Sequence, residues 1–124
     1  MSSKPHDLQQ YLSEVAARLE RFPASRVTIG WVAPKAIARG CYNSWAMLAW
    51  PTENHDYVIA ISIELLHAPK YVLRSLVLHE CLHIVLPPRG KCQHHYAFRQ
   101  AERSNQDFKR AWRWLQAAAA APTQ

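Results

Sequence analysis

Prolines bracket one stretch of this chain: Pro69 stands before KYVLRSLVLHECLHIVL, and Pro87-Pro88 stand after it. A proline is tolerated at the first helical position, whose N–H has no partner, but it cannot continue a helix, because its ring clashes with the turn before it. A long helix from about Pro69 to Leu86 is therefore expected. It carries His79, Glu80, Cys81, Leu82 and His83, an HECLH sequence.

The flanking segments are shorter and alternate in type. Leu8, Tyr11, Leu12, Val15, Leu19 and Phe22 recur at helical spacing up to Pro23, which predicts an amphipathic first helix from Leu8 to Phe22. Val27, Ile29, Trp31 and Ala33 alternate as in a half-buried strand, ahead of a turn region around Gly40. A second apolar segment spans Ser44 to Trp50. The β-branched run from Tyr57 to Ile63 reads as a third strand. Short links suggest an antiparallel meander. After the PPRGKCQ loop, helix resumes near His94 and breaks where Ser104 and Asp107 resemble a capping box. A last helix then uses Phe108, Trp112 and Leu115 as its core stripe, and the tail from Ala117 to Gln124 is expected to be flexible. The fold class is α+β: an N-terminal helix, a three-stranded antiparallel sheet, the HECLH helix and C-terminal adaptor helices.

With 124 residues, nearly half of them apolar, the chain has material for one domain with one core. No apolar run approaches the roughly 20 residues that span a bilayer, and the polar N-terminus does not read as a secretion signal. Cys41, Cys81 and Cys92 are odd in number and form no CxxC pair, which argues against a disulfide framework and fits a reducing, cytoplasmic setting. The formal charge of +6 is spread thinly apart from Arg99, Arg103, Lys109, Arg110 and Arg113. It leaves room for a weak association with nucleic acid but is met as well by a solvated helix face.

The chemistry is concentrated in HECLH. Residues four apart on a helix differ by about 40° in azimuth, so His79 and His83 present their imidazoles side by side and can grip one cation. A catalytic zinc has three protein ligands and keeps a fourth position for water. Glu80 flanks the ligand face and is placed to act as general base. Leu86 and Arg89 stand where the metzincin pattern needs glycine and histidine, so that pattern is excluded. The third ligand must come from the following helix, with His94, His95 and Glu102 as candidates. Cys81 lies about 200° around the helix from both histidines and should face the core.

Taken together, Ile61-Ser62, Leu65-Leu66, Ala68-Pro69, HECLH, His94 with Phe98 four residues on, and the segment from Asn105 to Leu115 resemble the SprT-like and YgjP-type minimal zincins. The resemblance covers about Gly40 to Leu115. It implies a minimal zincin-like domain and a metallopeptidase that hydrolyses peptide or protein substrates. It also implies Zn2+ held by His79, His83 and His94, with Glu80 as general base. His95 stands where the family has glycine or serine, and the family's C-terminal zinc ribbon is not expected here.

Tyr96 or His95 is a candidate hydrogen-bond donor to the oxyanion of a tetrahedral intermediate, although both read more simply as surface residues. His6, His55 and His67 read as solvated, and the five tryptophans mostly as core. Strand addition along the edge of the strand from Tyr57 to Ile63, or of its neighbour, is the expected mode of substrate binding. Two alternatives stay open: a regulatory or DNA-associated protein that keeps the metal as a brace, and a latent peptidase blocked by its alanine-rich tail.

Overall fold

Helix α1 (Leu8–Ala16) is the first of the described elements, capped by the Asp7 carboxylate, which accepts from the Gln10 N–H at 3.1 Å. In the computed structural model, residues 6–34 and 45–120 are described. The expected turn around Gly40, Cys41 and the start of the second apolar segment at Ser44 lie outside them. α1 buries Leu8, Tyr11, Leu12 and Val15, but it ends well short of Phe22. Its last turn tightens as Arg18 and Leu19 donate to the carbonyls three residues back, and Arg21 takes a left-handed φ of 61° that no helix continues through. Leu19 and Phe22 still reach the core from this folded-back turn, which is why the apolar spacing overstates the helix.

The sheet corrects the expected meander. Strands β1 (Val27–Val32), β2 (Ala46–Ala49) and β3 (Tyr57–Ser62) are arranged β1-β3-β2. β3 pairs parallel with β1, Val27 opposite Tyr57, and antiparallel with β2, Ala46 opposite Ile61. The sheet is mixed because the most apolar strand takes its centre: Ile59, Ala60, Ile61 and Ser62 are all buried, whereas β1 and β2 each bury only one residue. A fully covered strand reads as a continuous apolar run, and that run says nothing about which neighbour lies on which side.

Helix α2 (Lys70–Val85) follows a short 3-10 turn at Ile63–Leu65, and its first bonds go back to the Pro69 carbonyl. It packs against α1, β2 and both later helices, so it is buried almost all round, from Val72 to Ile84. α3 (Tyr96–Arg103) and α4 (Phe108–Ala120) complete an α+β fold of four helices and a three-stranded mixed sheet among the described residues. The break between them is not a capping box. The Ser104 hydroxyl turns back to donate to the Ala101 carbonyl at 2.6 Å, and Asn105 makes the corner by accepting from the Asp107 N–H at 3.2 Å. α4 runs through Ala117 to Ala120, the first half of the tail expected to be flexible, and residues 121–124 lie outside the described residues.

His6 is another correction. It is half-buried, with Nε2–H donating to the Ala68 carbonyl at 2.6 Å and Nδ1 accepting from the Tyr11 hydroxyl at 2.7 Å. It ties the chain before α1 to the turn before α2. His55 and His67 are exposed, as read.

Candidate metal centre

Ser75, His79 and His83 follow one another at four-residue intervals along α2 and form its only polar stripe facing α3. Each meets a partner from farther along the chain. Asn105 Nδ2 donates to the Ser75 hydroxyl at 3.0 Å, Glu102 accepts from His79, and His94 meets His83. The partners run backwards as α2 runs forwards, so the segment from His94 to Asn105 lies antiparallel along this stripe.

At the C-terminal end of the stripe three imidazoles form a nearly equilateral triangle. The ring centroids are 5.0 Å apart for His79 and His83, 5.1 Å for His79 and His94, and 4.9 Å for His83 and His94. One nitrogen from each ring falls within 4.8 Å of the other two, close enough to bind a metal ion. Nε2 of His83 and Nε2 of His94 are 3.3 Å apart. That matches the edge, about 3.3 Å, of a tetrahedron of nitrogens around zinc at about 2.0–2.1 Å.

Phe98, fully buried, lies beneath all three rings at 4.6 to 5.1 Å from their centroids, and Trp112 stacks edge-on against His79 at 5.7 Å. These aromatic walls give the rings an apolar floor that limits their swing. His79 is held further by Glu102, whose carboxylate accepts from Nδ1–H, which selects the tautomer with Nε2 as the donor atom for a cation. The Arg99 Nε–H donates to the His94 carbonyl at 2.9 Å and steadies that residue at the head of α3.

His95 is 7% exposed and turned away from this role: Nε2–H donates to the Pro87 carbonyl at 3.1 Å, and Nδ1 accepts from the Phe98 N–H at 3.4 Å, capping α3. The surface reading of His95 is therefore corrected, whereas Tyr96 does stand out, 76% exposed. The loop from Leu86 to Gln93 returns to α2 through a tight turn in which Arg89 and Cys92 exchange both backbone hydrogen bonds. Gly90 takes a φ of +59° there, a conformation that favours glycine.

Glu80 is 3% exposed, and burial pushes its carboxyl up to about 7; the charge of Glu102 adds to the rise, and His79 opposes it. Burial, with His79 and His94 nearby, takes His83 down to about 3, and burial lowers His94 as well. Both shifts keep these imidazoles neutral, the form that binds metal. Cys81 is wholly buried and faces the core, with burial holding its thiol protonated, while Cys92 is exposed and free.

The sequence brings out His79, Glu80 and His83 through their spacing. It gives no signal for Arg99, five residues from the carbonyl that it holds, and none for histidine as the cap of α3. The chain matches no family model, no curated protein and no solved structure.

Proposed function

We propose that this chain is a zinc-dependent metallopeptidase of the SprT-like, minimal zincin kind, with His79, His83 and His94 holding the ion and Glu80 as general base. The observation that carries the reading is the convergence of three imidazoles, His79, His83 and His94, with the buried Glu80 carboxyl beside His79 on the same helix. Nitrogen ligands of this softness suit zinc. A structural zinc is closed by four protein ligands, whereas the cluster among the described residues has three, which favours a catalytic site over a brace. When bound, zinc supplies a Lewis acid that polarises the scissile carbonyl and acidifies water.

Glu80 accepts the proton that water loses as its oxygen adds to the carbonyl carbon. It then delivers that proton to the amide nitrogen as the C–N bond breaks. A carboxyl with its midpoint near neutrality does both jobs with little bias. β3 cannot receive the substrate, because both of its edges are paired. Strand addition therefore falls to β2, the edge strand that packs against α2. No helix among the described residues is long and apolar enough to cross a membrane.

Glu80→Gln tests the reading. The variant keeps one zinc per chain while cleavage of an unstructured peptide falls about 10²- to 10⁴-fold, the range for loss of a general acid–base. Equal cleavage by variant and parent contradicts it.

A further inference from the structure

The net charge of the chain is distributed very unevenly. Residues 1–85 carry eight basic side chains against seven acidic, whereas residues 86–124 carry seven against two. In the first part Arg26 pairs with Asp56 at 3.3 Å and Arg74 with Glu14 at 3.1 Å. Around the metal centre the pattern differs. Arg89 and Lys91 sit on the loop that leads to His94, and Arg99 and Arg103 lie one turn apart on α3; all four are exposed, and none has a carboxylate partner among the described residues. Between Leu86 and Asn105 the single carboxylate is Glu102, buried against His79. Arg99 is anchored to the His94 carbonyl itself, so this cationic rim starts at the third histidine.

We infer that Arg89, Lys91, Arg99 and Arg103 form a cationic wall beside the metal centre that selects acidic peptide segments as substrates. The inference rests on the peptidase reading and names its substrate class. The edge strand β2, which packs against α2, is of another character: AMLA carries no charge, and Trp45 and Trp50 flank it in sequence. A segment with apolar side chains along β2 and Asp or Glu toward the cations satisfies both. Duplex nucleic acid fits less well, since its proteins draw on about 6–10 phosphate contacts and this rim offers four cations. Rim charges act mainly through encounter rate and salt dependence, so the preference is electrostatic and screenable.

The test uses zinc-loaded Glu80→Gln protein and two labelled peptides that share an apolar frame, one with Glu and one with Lys at the flanking positions, read by fluorescence anisotropy. The acidic peptide binds about tenfold more tightly at low salt, the effect of a few exposed ion pairs together. The difference closes between about 0.05 M and about 0.5 M sodium chloride. Combining Arg89→Glu, Lys91→Glu and Arg103→Glu inverts the preference, with zinc content unchanged. Equal binding of the two peptides, binding of neither, or tighter binding of a short DNA duplex of the same charge overturns the inference. Cleavage by the unsubstituted protein separates the two claims. Cleavage without preference removes the acidic selectivity alone, and preference without cleavage removes the peptidase reading alone.

Discussion

The two sides of α2 are built on different principles. Toward α1 and the sheet it presents Val72, Leu73, Leu76, Val77 and Cys81, each no more than 1% exposed, in a core with no polar partner to find. Toward α3 it presents Ser75, His79 and His83, each answered by one particular polar group. An apolar face tolerates any neighbour of the right shape. A buried polar face does not, because each unanswered donor or acceptor costs roughly 1–3 kcal/mol. The apolar side therefore secures the helix, and the polar side fixes where the chain from His94 to Asn105 must lie.

The sharpest way to separate the two sides is to damage each in turn. Leu76→Ala, on the apolar side, removes about 2–5 kcal/mol of folding stability by the cavity that it leaves, measured by urea unfolding. Zinc affinity of the folded protein should barely change. A loss of affinity as large as the loss of stability would show that the two sides are not independent.

On the polar side Glu102→Ala has the reverse signature. Removing the acceptor behind His79 lowers zinc affinity about 10- to 100-fold, as loss of such a partner does elsewhere. Glu102→Gln, which keeps an oxygen for Nδ1–H, recovers part of it. Competition with a chromophoric chelator reads both values. Unchanged affinity in Glu102→Ala would remove the carboxylate from any role in holding the ring.

A smaller effect appears in metal-free protein as acid is added. The His83 midpoint is lowered from 6.5 to about 3, so the unfolded chain takes up a proton that the folded one refuses, and stability drains away as pH falls across that window. Glu80 works in the opposite sense. Its midpoint is raised from 4.5 to about 7, so the folded state binds the proton first and gains stability as pH falls from about 7 to 4.5. The Glu80→Gln variant lacks this offset and should lose stability more steeply than the parent between pH 6.5 and 4.5. Superimposable profiles would mean that the two groups do not feel their burial as described.

What was legible in the sequence follows the same division. The limits of α2 could be read because proline acts locally, and Cys81 could be assigned to the core because azimuth on a helix is fixed by spacing. The sheet order could not be read: pattern identifies β3 as a strand but not as the central one, and the link from β1 to β2 is long enough to allow either arrangement. Nor could spacing choose among His94, His95 and Glu102. The three differ in their partners, His83 for His94, Pro87 and Phe98 for His95, and His79 for Glu102, contacts that exist only after the loop has folded back through Gly90.

The central claim is that three imidazoles and one open position surround a single zinc ion. X-ray absorption on protein loaded with one equivalent of zinc tests it most directly, with His94→Ala as the control. The account predicts three nitrogen neighbours at about 2.0–2.1 Å and one lighter oxygen, with one nitrogen lost in the variant. A zinc shell that is identical with and without the His94 ring, or one filled by four protein ligands, would contradict it.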